Sequence, residues 1–80
     1  MQVELITPDQ KAFEGEAFSV LLPGISGYFE ILNNHAPLVG ALGSGNVRIK
    51  TQTEELNFGI SSGVVEVLNN KVSLLADSLT

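Results

Sequence analysis

Apolar and polar residues alternate along most of this chain, and turn-forming residues interrupt the alternation about every 8–10 residues. Val3, Leu5 and Thr7 stand between Gln2, Glu4 and Ile6, a period of two with one apolar residue out of place. Pro8-Asp9-Gln10 predicts a turn, Lys11-Ala12-Phe13 a short strand, and Gly15 the next reversal. Ala17 to Leu22 alternates again and predicts Phe18, Val20 and Leu22 on one face, with Pro23-Gly24 ending the strand. Gly43-Ser44-Gly45-Asn46 predicts a turn before Val47-Arg48-Ile49-Lys50-Thr51, where Val47 and Ile49 point inward and the two bases outward. Gln52 to Glu55 reverses the chain, and Leu56, Phe58 and Ile60 then alternate with Asn57, Gly59 and Ser61. Ser62-Gly63 predicts a bulge or kink. Val64 to Leu68 and Lys71 to Ala76 flank Asn69-Asn70, a two-residue hairpin turn that needs positive φ. No window has helical periodicity. The pattern predicts an all-β fold in one domain, residues 1–80: a small antiparallel β-sandwich, or flattened barrel, of about ten short strands.

The segment from Gly27 to Val39 is distinct. It holds the only tyrosine and the only histidine of the chain, Tyr28 and His35, and one of its three prolines. Gly27 can take positive φ freely, and Asn33-Asn34 tolerates left-handed geometry. Pro37 fixes its own φ and pushes Ala36 toward an extended conformation. A short strand, a stiff turn and a second strand follow from this, with side chains presented in one orientation.

Composition narrows the function. Nine acids against four bases give a net charge of −5, and Lys11, Arg48, Lys50 and Lys71 are scattered along the chain. A phosphate backbone needs clustered cations, so nucleic acid is a poor partner. There is no cysteine and hence no thiolate site. The start lacks the basic and apolar regions of a signal peptide, and no apolar run approaches a membrane span.

Candidate chemistry is sparse. Gly59-Ile60-Ser61-Ser62-Gly63 matches the Gly-x-Ser-x-Gly nucleophile elbow, which requires a strand, a sharp turn and a helix. Val64 to Leu68 is a strand pattern, so a bulge between two strands is the better reading. His35 has no second histidine or cysteine to share a metal and reads as hydrogen-bonded within its loop or at an interface. Gly43-Ser44-Gly45 lacks the helix and lysine of a phosphate loop. Glu14, Glu16, Glu54 and Glu55 read as solubilising charges on turns and edges. These readings predict no catalytic residue, no metal and no cofactor.

The run from Gly27 to Leu38, ending in His35-Ala36-Pro37-Leu38, resembles the epsilon subunit of the F-type ATP synthase. That family carries Gly-x-x-Gly-x-(Phe/Leu)-Gly-(Ile/Val)-Leu-Pro-Gly-His-Ala-Pro-Leu. The resemblance extends in order through Ile6-Thr7-Pro8, Phe13-x-Gly15, Gly45-x-Val47-Arg48-Ile49, Ser61 to Val67 and Leu75-Ala76-Asp77-Ser78. It implies a flattened β-sandwich in a non-catalytic subunit at the foot of the rotor stalk. There it packs on the gamma subunit and rests on the polar loops of the c-ring. The location implied is peripheral, on the cytoplasmic face of the bacterial inner membrane.

Carried over by position, the resemblance places Gly27, Tyr28, Phe29 and Glu30 against the c-ring, and Thr7, His35 and Gly40 against gamma. Tyr28 stands where the family often has an acid and Glu30 where it has glycine; with a period of two, Glu30 shares the face of Tyr28. Asn33-Asn34 replaces the usual Pro-Gly. Family members continue past Ala-Asp-Ser into a helical hairpin associated with ATP binding and inhibition of hydrolysis. The sequence stops at Thr80, so neither activity is expected, and a naturally short form is expected over a cut one. A free-standing sandwich binding a peptide or sugar is the alternative, and it predicts exposed aromatics gathered on one sheet face.

Overall fold

A computed structural model describes residues 1–80. It contains nine strands and no helix: β1 Gln2–Ile6, β2 Lys11–Glu16, β3 Ser19–Gly24, β4 Gly27–Leu32, β5 Leu38–Leu42, β6 Gly45–Lys50, β7 Glu55–Ile60, β8 Gly63–Leu68 and β9 Lys71–Ala76. They follow one another as β2-β1-β9-β8-β5-β3-β6-β7, with β4 on β3. The link between β5 and β3 is a single pair, Leu42 beside Gly24. The sheet therefore folds there into two layers, a five-stranded one (β2-β1-β9-β8-β5) and a four-stranded one (β4-β3-β6-β7).

Alternation decides what lies between the layers. Val3, Leu5, Val65, Val67, Val72 and Leu74 come from the first layer, and Val20, Leu22, Ile31, Val47, Ile49 and Ile60 from the second. All belong to one buried cluster. The Asn69-Asn70 turn joins β8 and β9 with φ of 52° and 59°, the left-handed pair that a two-residue turn of type I′ requires. A tenth strand is reduced to an isolated bridge, Ile60 to Leu79, along which Thr80 N donates to Gly59 O at 2.8 Å.

Several local expectations are corrected. The sandwich is antiparallel except for one parallel pair, β1 with β9, the first and last strands. Gly15 is not a reversal but a strand residue beside Val3. Phe18 does not join Val20 and Leu22: β3 begins at Ser19, and Phe18 in the preceding link is 48% exposed. Pro23-Gly24 does not stop β3, because Pro23 lies beyond the last β6 pair, Leu21 with Arg48, where its missing N–H breaks no ladder bond. The turn falls instead on Ile25-Ser26. Gly45 and Asn46 begin β6 rather than closing a turn.

The Asn33-Asn34 turn is pinned from two sides. His35 N donates to Leu32 O at 3.2 Å, and Asn34 takes φ of 62°, the positive third-residue φ of a type II turn. The Met1 amino group donates to Asn33 Oδ1 at 2.6 Å, and Asn34 N donates to Asn70 Oδ1 at 2.7 Å. Proline at position 33 would lack the side-chain acceptor for the Met1 amino group, whereas the bond to Asn70 uses the backbone N–H of residue 34, which glycine would supply equally.

Two outcomes follow. Leu74, 1% exposed, should cost about 2–5 kcal/mol when replaced by alanine, read as a lower urea midpoint at unchanged slope. Asn70→Gly should leave the hairpin intact yet release Asn34 N, so that hydrogen exchange at Asn34 accelerates while global stability moves by less than about 1 kcal/mol. Unchanged exchange at Asn34 would show that the turn is not held through Asn70.

Candidate functional site

The β3–β4 hairpin carries the residues that resemblance assigns to the c-ring. Its closure depends on Gly24: a Cβ there would sit 2.6 Å from Gly27 O and 2.8 Å from Phe29 Cε1. Gly27 adopts φ of 134°, in the range that favours glycine. Along β4, Phe29 and Ile31 face inward, while Tyr28, Glu30 and Leu32 face out. Gly27, Tyr28 and Glu30 are thus exposed together, and the expected common face of Tyr28 and Glu30 is present. Phe29 differs: its ring packs against the core and holds the hairpin rather than presenting itself.

Both outward side chains are tethered. The Tyr28 hydroxyl accepts from Asn46 N at 2.9 Å, and Ser19 Oγ donates to Glu30 Oε2 at 2.6 Å. Gly45 makes room for the tyrosine, since a Cβ there would lie 2.6 Å from its hydroxyl oxygen. One carboxylate oxygen of Glu30 remains free for an outside partner. The hairpin is thus held by backbone pairing and by these two side-chain bonds.

Thr7, His35 and Gly40 are not brought together. Thr7 is 7% exposed and its hydroxyl exchanges hydrogen bonds with Gln10 N and O, both 3.3 Å, so it caps the Pro8–Gln10 turn. Gly40 lies in β5 on the inward register opposite Val65. A side chain there would make ordinary contact with Val65 Cγ1 at 3.5 Å. His35 is exposed, and its Nδ1 stands 2.8 Å from Ala36 O; a carbonyl only accepts, so Nδ1 carries the hydrogen. The registers Leu42–Gly63, Gly63–Ala76 and Leu75–Ile6 place Thr7 at the same end as the β3–β4 turn. His35, in contact with the Asn70 turn through its neighbour Asn34, lies at the opposite end.

The sequence reading missed a different group. Ile25, Val39, Val64 and Leu75 are exposed by 72%, 71%, 46% and 57%. The signal was present as apolar doublets, Leu38-Val39, Val64-Val65 and Leu74-Leu75. In a strand, adjacent residues point to opposite faces, so one member of each doublet must face outward.

Other candidate chemistry resolves simply. Ile60 ends β7, Ser61 and Ser62 turn the chain, and Gly63 opens β8, so the apparent nucleophile elbow is a corner between layers. Its serines bond to the tail, Ser61 Oγ to Ser78 Oγ and Ser62 Oγ to Asp77. No three His, Cys, Asp or Glu side chains are grouped as metal ligands would be. The exposed aromatics, Phe18 and Tyr28, stand at opposite ends of β3 and form no shared platform. Lys11 Nζ lies 3.1 Å from both Glu14 and Glu4, and these hydrogen bonds, that to Glu14 foremost, hold its pKa above the ordinary lysine value.

This architecture agrees with comparisons to known proteins. The family model described as the ATP synthase delta/epsilon chain, β-sandwich domain, matches residues 1–80. The ATP synthase epsilon chain of Salinibacter ruber is 38% identical, over 99% of this chain and 59% of that protein. The chain thus spans about three fifths of that relative. The epsilon chain of Chlorobium limicola is 40% identical, over 99% of this chain and 91% of its own length. Among solved structures, a chain in the central stalk and c-ring of the Tetrahymena thermophila mitochondrial ATP synthase superposes with a TM-score of 0.86. It covers 99% of this chain and 64% of that one, and at 17% identity it shows the shared fold. By the match over all 80 residues and by these relatives, the chain belongs to the delta/epsilon-chain β-sandwich family of ATP synthase.

Proposed function

We propose that this chain is a non-catalytic rotor subunit of ATP synthase, seated between the gamma subunit and the c-ring, which couples proton-driven rotation to ATP synthesis. The observation that carries the reading is the braced β3–β4 hairpin, with Tyr28 and Glu30 outward and tethered to neighbouring strands. A part that transmits torque must not deform under load, and close-packed β layers with side chains locked in place meet that need. In this reading Gly27, Tyr28 and Glu30 meet the polar loops of the ring, with Phe29 holding the hairpin from behind. Thr7, His35 and Gly40 belong to the gamma side, where Gly40 acts through its backbone and Thr7 by shaping its turn. The subunit is peripheral, on the cytoplasmic face of a bacterial inner membrane, and reaches that membrane only through the complex. Its sandwich binds no ATP.

The test is reconstitution. Membranes whose ATP synthase lacks this chain should lose proton-coupled ATP synthesis and regain it when the purified protein is added back. Full synthesis without it would remove the coupling role. Within that assay, Glu30→Gln keeps an acceptor for Ser19 but removes the charge. It should weaken retention on the ring by about 2- to 5-fold, the scale of a single exposed ion pair, with the loss shrinking at high salt. Retention equal to wild type would take Glu30 out of the ring contact.

A further inference from the structure

The end of the sandwich opposite the β3–β4 turn is closed by Met1. Its side chain belongs to the buried cluster, and the residue is 6% exposed. Its amino group donates to Ala17 O at 2.9 Å and to Asn33 Oδ1 at 2.6 Å, and the Glu16 carboxylate stands 3.3 Å away. The backbone continues the closure. Ala17 N donates to Met1 O at 2.9 Å, and Gln2 N to Asn70 O at 3.1 Å. Asn70 in turn takes Asn34 N on its side-chain oxygen. The link between β2 and β3, the Asn33-Asn34 turn and the β8–β9 turn are thus drawn together on two residues.

The chemistry of that nitrogen matters as much as its position. An ammonium carries three hydrogens and a full charge, and this one is met by a carbonyl, an amide oxygen and a carboxylate. An acylated nitrogen is an amide, with one hydrogen and no charge. It would leave at least one of the two hydrogen-bonded oxygens without a donor, and Glu16 without its countercharge. Ala17 is 5% exposed, so its carbonyl has little water to turn to. A buried acceptor left unpaired bears its full desolvation cost. Space is not the obstacle. Met1, Glu16, Ala17, Phe18, Asn33 and Gln52 line an open depression of about 250 Å³, with room for a small acyl group.

We infer that the Met1 nitrogen is a modification-sensitive site: as a free ammonium it locks the Asn33-Asn34 turn and this end of the sandwich, and as an N-formyl amide it releases them. The reaction that must precede closure is therefore hydrolysis of the formyl group with which bacterial synthesis starts a chain. Water adds to the formyl carbonyl, the C–N bond breaks, and the formic acid so made gives its proton to the amine, leaving formate and the ammonium. Only the identity of the acyl group rests on the bacterial location proposed above; the need for a free ammonium rests on the geometry. The turn concerned is closed by His35 N on Leu32 O. The state of the terminus thus decides whether His35 is held in one orientation.

The test compares the purified protein carrying a free Met1 amine with the same protein retaining its formyl group, each verified by intact mass. Hydrogen exchange at the His35 amide should be about 10-fold faster or more in the formylated form, the scale of one charge-assisted hydrogen bond. Exchange at the Asn46 amide, bonded to Tyr28 at the far end, should stay within about 2-fold. With the amine free, Asn33→Ala should reproduce the faster His35 exchange. Formylating that variant should add no more than about 2-fold at His35, because both changes remove the same bond. Equal His35 exchange in the free and formylated wild type would overturn the inference. So would equal acceleration at His35 and Asn46, which would make the modification a loosening of the whole core. Slow His35 exchange in Asn33→Ala would overturn the hold on the turn. The protein isolated from its own cells should carry a free Met1 amine, and a folded population acylated at that nitrogen would overturn the requirement. None of these measurements involves gamma or the ring, so their failure leaves the proposed function standing.

Discussion

Everything in this molecule depends on the pairing of β1 with β9. It is the one parallel pair, and it joins the first strand to the last with Val3 beside Val72 and Leu5 beside Leu74. Those four side chains are all within 1% of full burial, so the pairing and the core form together. Without it, β1 and β2 would be an isolated hairpin, and β8, β9 and β5 would lack a flank. The entropic cost of closing so long a loop is met only when both layers bury their inner faces at once. Such a topology predicts slow, cooperative folding rather than stepwise accretion of hairpins.

That constraint also sets the surface. Once β1 and β9 are side by side, Ile6 and Leu75 must share an outer face, and the β8 and β5 registers add Val64 and Ala41. No single strand contains the row. Core formation thus assembles an exposed apolar strip at the end of the molecule that also bears the braced hairpin. The two features are physically linked through Ile25, whose backbone bonds to β5 while its chain turns into β4.

The accuracy of the sequence reading varies with the kind of signal. Alternation in Val47 to Lys50 and in Val3 to Leu5 identified strands and their buried faces, because one face of each is strongly apolar. Asn69-Asn70 identified a left-handed hairpin turn, because few residue pairs accept that geometry. Glycine and proline were less faithful. Gly15, Gly24 and Gly45 lie within strands, and the last two are small because Phe29 and Tyr28 press against them, a packing reason invisible along the chain. Phe18 looked like core by spacing and is half exposed because the strand starts one residue later.

The candidate site divides in the same way. The sequence by itself determined an all-β chain, the stiff segment from Gly27 to Val39 and a family pattern in order along its length. Those are properties of neighbouring residues, and local steric and hydrophobic preferences are written in neighbours. It also determined that doublets such as Val64-Val65 and Leu74-Leu75 must expose one member each. Tertiary structure alone decided which exposed members meet, that Thr7 and His35 lie at opposite ends, that the Phe29 ring packs against the core, and that Asn33 and Asn34 are held by Met1 and Asn70. These are matters of register between strands far apart in sequence, and register is chosen by the whole core because shifting it by one residue turns every buried side chain outward.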